Sequence, residues 1–284
     1  KLYIGGSFLE VEYVQDLNSF EVIDQGYSKD KYNIYYAGTP IYDVDKSTFQ
    51  IIMPDYYAKD KNNVYSGYDK IKDANPDTIR ILNQVYLKDD KDVFLNFGQK
   101  IKNADAATFE VIGENGAYGK DKNNVYYLGE KIKGADAKSF EVILEPSDLI
   151  QMYSKDKNSV YYIGKKIEEV NPKNFKVLKD YIFTDGKNVY LYGEKKEEID
   201  LQTLKFFDDN SSYFFDKNNI YFQGDKLENT DFKSFKIMEL NFSKDKNNVY
   251  AGNEKIDGAD AKTFQVIDTY AGFARDKNYL YYSN

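Results

Sequence analysis

Residues 121–132 read Asp121-Lys122-Asn123-Asn124-Val125-Tyr126-Tyr127-Leu128-Gly129-Glu130-Lys131-Ile132. Asp-Lys-Asn-Asn is a turn by composition. An Asp carboxylate can accept hydrogen bonds from backbone amides two or three residues on, and Asn tolerates left-handed geometry. Val-Tyr-Tyr-Leu is β-branched and aromatic, which suits a pleated, half-buried surface. Gly-Glu-Lys-Ile then supplies a tight turn and a short return strand. The stretch therefore predicts strand, turn, strand, with the residues before Asp121 forming the incoming strand.

The same reading applies along the whole chain because the stretch recurs. Its copies begin at Asp30, Asp60, Asp89, Asp121, Asp156, Asp185, Asp216, Asp245 and Asp276, nine in all. A second signature alternates with it: Asp or Asn, two residues, Ser/Thr/Asn, then Phe-x-Val/Ile. Asp136-Ala137-Lys138-Ser139-Phe140-Glu141-Val142 shows it well, and its other copies start at Asp16, Asp45, Asn75, Asp105, Asn171, Asp200, Asp231 and Asp260. Asn75-Pro76 and Asn171-Pro172 place a capping side chain before a helix-compatible residue, so this signature predicts one capped turn followed by a strand. From each first-signature Asp to the next second signature the spacing is 15 residues, 16 once; onward to the next Asp it varies from 14 to 20. Insertion is thus confined to one half of the unit, as in loops, with the longest at Leu144 to Met152.

Each unit amounts to three or four short strands and a capped turn in about 30 residues, too little to bury an apolar face without neighbours. The expected fold is all-β: a single array over 1–284 of about nine β-hairpin or meander repeats, with a partial repeat at each end. An open β-solenoid or superhelix is the expected arrangement, with a closed β-propeller as the alternative. Phe20, Phe49, Phe109, Phe140, Phe175, Phe235 and Phe264 are expected at equivalent buried places. In pairs such as Tyr126-Tyr127, Tyr161-Tyr162 and Tyr281-Tyr282, one ring should face the core and the other the opposite surface. Packing on both faces between stacked units is the expected outcome, with an exposed aromatic ladder the alternative.

The motif seen as Asp121 to Tyr127, and as Asp276-Lys277-Asn278-Tyr279, resembles that of the DKNYY repeat family of bacterial proteins. The resemblance covers nearly the whole chain; it implies a bacterial repeat protein and brings no activity with it. Asp30, Asp89, Asp185 and Asp276 head copies that depart from the motif, through Tyr32, acidic Asp90 and Asp92, Gly186, and Tyr279. Ser154 to Tyr161 and Ser243 to Tyr250 are also similar to the Asp-box of sialidase-like propellers, with Asn for Gly and Tyr for Trp. In that box the Asp is structural, so this likeness favours the propeller alternative and carries no sialidase activity.

Composition narrows the chemistry. The 284 residues hold 28 Tyr and 19 Phe, no Cys and no His, and a net charge of −8. Disulfides, Cys nucleophiles, Ser-His-Asp triads and His-ligated metals are excluded. No apolar run approaches the ~18 residues of a membrane helix, so no membrane insertion is expected. The acidic balance, with a pI near 4.9, argues against a nucleic-acid groove.

What remains is carboxylate chemistry, hard-cation binding, or binding and spacing without catalysis. Calcium would need several carboxylates on one ion, yet most turns supply a single Asp between lysines, as in Lys59-Asp60-Lys61. The nine Asp residues are accordingly expected as structural turn residues, with the acidic Asp89, Asp90, Asp92 turn the one exception to check. A glycoside hydrolase needs a carboxylate pair, and the acids outside the repeat (Glu114, Glu145, Asp148, Asp208, Asp209) have no framing motif. No catalytic, cofactor or metal residues are expected. Leu144, Leu149, Ile150 and Met152 in the longest insertion are the candidate partner-binding residues. The resulting expectation is a non-catalytic binding module at the bacterial cell surface or in the periplasm, contacting protein or glycan through variable loops. A spacer without ligand is the alternative, a carboxylate-dependent hydrolase the lesser one.

Overall fold

The computed structural model of the chain describes residues 14–24, 26–113, 116–143, 152–207 and 212–282, and the backbone of 2–4 and 7–9. Among these residues the fold is all-β. Seven sheets have four antiparallel strands, two have three, and one hairpin pairs Leu2–Ile4 with Ser7–Leu9. Each sheet is a meander taken in chain order and open at both edges. The second four-stranded sheet is representative: Gln50–Met53, Tyr57–Lys59, Val64–Ser66 and Asp69–Lys70. The chain divides into two compact units, Lys1–Glu168 and Glu169–Asn284, and the division falls between sheets.

The register follows from the turns. Asp60-Lys61-Asn62-Asn63 closes the second hairpin, with the Asp60 N–H donating to the Asn63 carbonyl at 3.0 Å, and Lys59 opposes Val64 while Ala58 opposes Tyr65. The next turn has only two residues. In Leu128-Gly129 and Ile163-Gly164 both have positive φ, the hairpin geometry that matches strand twist. Gly164 is also needed for close approach: a Cβ there would lie 2.6 Å from the Cβ of Tyr127 in the preceding sheet.

Period-two alternation then decides what each face covers. In the second sheet Tyr57 and Val64 face forward and pack with Leu87 and Phe94 of the third. Ala58 and Tyr65 face backward and pack with Tyr27 and Ile34 of the first. The pattern repeats in both units, Tyr118 and Val125 meeting Phe140 and Tyr161, and Ile182 and Val189 meeting Phe214 and Tyr221. A sheet inside a unit is therefore covered on both faces by its neighbours, whereas in the last sheet Leu280 and Tyr282 are exposed. The pair Tyr126-Tyr127 packs on both faces of its strand, as expected for stacked units. Tyr126 is fully buried, but Tyr127 is half-buried, with its ring 4.8 Å from that of Tyr118.

The phenylalanines are less uniform than expected. Phe109, Phe140 and Phe264 are buried; Phe20, Phe49, Phe175 and Phe235 are half-buried. The core is led by the tyrosines of the two central strands, because both faces of those strands are covered. The signature Phe lies just before the outer strand, where neighbours cover it less completely. Opposite this Phe the central strand keeps a small residue: Ala58 with Phe49, Gly119 with Phe109, Ser154 with Phe140, Ala274 with Phe264. Where the signature residue is smaller, Ile79 or Leu204, the partner is Leu87 or Phe214. Volume is conserved across the pair, as close packing requires. Phe175 with Phe183 breaks the rule, and those rings sit 5.1 Å apart.

Candidate functional site

The repeated Asp is the most regular polar group, and its carboxylate is fully engaged. In Asp60 one oxygen accepts from the amides of Asn62 and Asn63, both at 2.7 Å. The other accepts from the Tyr65 hydroxyl at 2.7 Å and from the backbone N–H of Asp45, fifteen residues upstream, at 2.7 Å. That last bond ties the two signatures together. The Lys61 amide donates to Thr48 Oγ1 at 3.1 Å, and the Lys61 ammonium pairs with the Asp45 carboxylate at 2.6 Å. We call this arrangement the clasp. Its central bond recurs at Asp30, Asp89, Asp121, Asp156, Asp216, Asp245 and Asp276.

At Asp185 the clasp is replaced by a local bond from the Asn188 side chain, 3.0 Å long. Asn174 stands there for the Ser/Thr of the second signature and Gly186 for the lysine. The clasp explains why insertion falls where it does. It closes one end of the outer hairpin, and the variable loop is the other end, so length can change there without moving the Asp.

Three of the lysines that precede an Asp, Lys59, Lys88 and Lys244, belong to the same framework. Lys59 donates to the Pro76 carbonyl at 2.8 Å, and Lys88 to the carbonyls of Ala106 and Phe109, both at 2.9 Å. Each thereby holds the capped turn that leads into the next sheet.

Electrostatics agree with a structural carboxylate. Burial pushes the Asp60 carboxyl up, but the amides of Asp45, Asn62 and Asn63 and the Tyr65 hydroxyl outweigh it and hold the group below the ordinary carboxylate range. Asp276 is held at about 2 by the same balance, burial opposed by amides and the Tyr281 hydroxyl. The Lys157 and Ser139 side chains hold Asp136 at about 2. Charge-assisted hydrogen bonds of this kind favour the ionised form.

In the acidic turn the three carboxylates are separately occupied. Asp89 accepts from the amides of Asn75, Lys91 and Asp92, Asp90 accepts from Asn75 and Thr78, and Asp92 pairs with Lys100 at 2.7 Å. Among the described residues no cluster of three acids converges on a metal-sized space.

Of the candidate partner-binding residues, Leu144, Leu149 and Ile150 lie outside the described residues, as do Glu114, Glu145, Asp148, Asp208 and Asp209. Met152 is half-buried; its carbonyl accepts from the Ile163 N–H at 2.7 Å, and its sulfur from the Tyr162 hydroxyl at 3.7 Å. The bond from Ile163 shows a general feature. In the four-stranded sheets the two-residue turn sits beside the sheet's variable loop, as in Gly67 N–H to Tyr56 and Leu128 N–H to Ala117. The sheets thus have a clasp end and a variable end, the sheet of Asp185 keeping only the local bonds of the clasp.

The variable end carries apolar tips that the sequence reading missed. Tyr68, Phe97, Leu128 and Ile163, on consecutive sheets of the first unit, are 52%, 84%, 47% and 36% exposed. Phe97, Leu128 and Ile163 also have φ of 62°, 46° and 48°, a conformation that bulky side chains rarely adopt. The legible signal was a large apolar residue beside Gly where Asn is preferred.

Three surface clefts accompany these ends. One of about 220 Å³ lies at the clasp, between Thr78, Arg80 and Lys88 and Ala106 and Ala107. One of about 260 Å³ separates the outer edges of two consecutive sheets at Gln99–Asn103 and Gly129–Lys131. The third, about 470 Å³, lies among Gln202, Phe215, Lys217 and Phe232.

The model of the DKNYY family matches the chain four times in overlapping stretches, residues 27–165, 86–225, 118–253 and 222–284. The chain belongs to the DKNYY family. No curated protein and no solved structure matches it. The overlapping matches make this DKNYY protein a tandem repeat, with the clasp Asp and its Tyr as the motif's Asp and aromatic positions. No helix among the described residues is long and apolar enough to cross a membrane.

Proposed function

We propose that this DKNYY protein is a non-catalytic binding module, one array over residues 1–284 at the bacterial cell surface or in the periplasm. The clasp end is scaffold and the variable end makes the contacts, with a protein or a glycan. One observation carries the reading: the two ends of each sheet are chemically opposite. At the clasp end the repeated carboxylates have their acceptor sites filled by amides and a hydroxyl, so they lack the free lone pairs that acid–base work needs. At the variable end strained apolar side chains project into solvent, and strain retained at an exposed position points to use.

Serine substitutions at Phe97, Leu128 and Ile163, combined with deletion of residues 144–151, test the reading. Retention of the purified protein on intact bacterial envelopes should be lost while the melting temperature holds. Retention equal to that of the parent would end the proposal. The spacer alternative draws on the same clasp, which ties a capped turn to the hairpin turn of the sheet that follows it. Solution scattering addresses it, because a compact particle is at odds with a spacer and with an open rather than ring-closed array. The hydrolase alternative predicts turnover in a glycan panel that is abolished by changing one acid pair.

A further inference from the structure

The outer edge of the sheets differs along the chain in a way unrelated to the variable end. In the last two sheets of the run Lys166–Lys226 and in the sheet before them, the edge lysine is neutralised by a glutamate two residues on. Lys166 pairs with Glu168 at 2.8 Å, Lys195 with Glu197 at 3.2 Å and Lys226 with Glu228 at 3.3 Å. In three consecutive sheets of the first unit that place holds a second lysine, giving Lys70-Ile71-Lys72, Lys100-Ile101-Lys102 and Lys131-Ile132-Lys133. All six ammonium-bearing side chains are exposed. Lys70 lies 3.4 Å from Asp43 and Lys100 2.7 Å from Asp92. Among the described residues Lys72, Lys102, Lys131 and Lys133 enter no ion pair or hydrogen bond.

These edges adjoin. A Cβ on Gly98 would lie 3.1 Å from the Ile71 side chain, and the 260 Å³ cleft has Lys100 and Lys102 on one wall and Lys131 on the other. Leu95 and Gly129 give it an apolar floor, and Glu130 is its one carboxylate. Edge lysines commonly guard a sheet against pairing with another chain. The ion-paired sheets also carry edge lysines, in two of them as adjacent pairs (Lys165-Lys166 and Lys195-Lys196), yet each sets a glutamate two residues on. The lysine that stands in the glutamate's place at Lys72, Lys102 and Lys133 therefore needs another reason.

We propose that these three edges form a track for a linear anionic polysaccharide. Sheets stack about 10 Å apart, so the track offers sparse, regular cations. That spacing suits a polymer with an anion on every sugar or every second sugar. Duplex DNA carries a charge every ~1.7 Å, far denser than cations at this spacing can match. The unpaired N–H and C=O groups of an edge strand suit sugar hydroxyls, and the apolar floor suits the C–H face of a ring. The track and the variable end stand on different residues and fail separately.

Calorimetric titration of the whole chain with polygalacturonate and with dextran sulfate tests the track and separates carboxylate from sulfate recognition. At least one should bind, more weakly as salt is raised, while neutral dextran does not. Changing Lys72, Lys102, Lys131 and Lys133 together to Gln should weaken binding at least about tenfold. The same change at the ion-paired Lys166, Lys195 and Lys226 should alter it less than about twofold. Lys102→Gln and Lys131→Gln singly keep the edge charged and serve if the fourfold variant self-associates; each should weaken binding measurably. Binding of neither anionic polymer, equal losses in the two lysine sets, or tighter binding of duplex DNA would each overturn the proposal.

Discussion

Two tyrosines of one sheet show how the same residue type does different work. Tyr65 donates its hydroxyl to Asp60 at 2.7 Å, whereas the equally buried Tyr57 hydroxyl has no partner among the described residues. Tyr65→Phe should therefore cost about 1–2 kcal/mol and Tyr57→Phe about zero or less, read as shifts in denaturant midpoint. The chain carries the first substitution naturally at Phe94, whose Asp89 keeps its amide bonds. Asp60→Asn is harsher: an amide NH₂ would face donors, and about 3 kcal/mol should be lost. An Asp60→Asn protein that unfolds at the parent's midpoint would show that the clasp contributes nothing. At this scale the sequence was informative about the local half of the clasp. Bonds from Asp60 to residues two and three ahead are a property of Asp in a turn; the bond from fifteen residues behind is not.

Among the elements, the small residue opposite the signature Phe makes a quantitative statement. A Cβ on Gly119 would lie 2.3 Å from Phe109 Cζ, so Gly119→Ala should cost about 1–3 kcal/mol through overpacking. With Phe109→Leu added, part of that loss should return, and a double-mutant cycle should give a coupling of at least about 1 kcal/mol. Additive losses would contradict the packing pair. At the two-residue turn, Ile163 has φ of 48°, a poor place for a β-branched residue. Ile163→Asn should raise stability by about 1 kcal/mol in thermal melts, while removing one apolar tip. Strands and turns were legible because each is set by a few adjacent residues. The ring that Tyr127 meets, Tyr118, was not, since alternation says only that two rings point apart and not what lies beyond each.

For the molecule as a whole, the sheets of each unit are shielded by one another, and ionisation should report it. A carboxyl held low in the fold stabilises it above the ordinary value near 4 and loses that contribution as pH falls through the folded value. With Asp136, Asp231, Asp260 and Asp276 each held at about 2, stability should fall from about pH 4 to pH 2. At the alkaline end burial pushes Tyr57, Tyr86, Tyr118 and Tyr213 up to about 12. A raised tyrosine stabilises the fold below its ordinary value near 10 and stops doing so as pH rises toward 12. Tyrosinate absorbance should therefore rise together with loss of the β-sheet circular dichroism signal. Residues 105–134 in isolation, one sheet with both faces bare, should stay unfolded by the same signal, whereas 75–168 should fold. A folded single sheet would remove the basis for stacking.

Sequence alone determined the repeat, its strands and turns, the confinement of insertion to one half of the unit, and the all-β class. These rest on interactions within a few residues, repeated often enough that one copy explains the others. Tertiary structure decided that insertion lies at the end of the hairpin opposite the clasp, that both faces of the sheets inside a unit are covered, and that edge lysines of consecutive sheets share a cleft. Those features join residues 14 to 20 apart, as in the bonds to Asp89 and Asp156, or residues on different sheets. They depend on how sheets are placed against each other, which period-two alternation leaves open because it is the same for any stack.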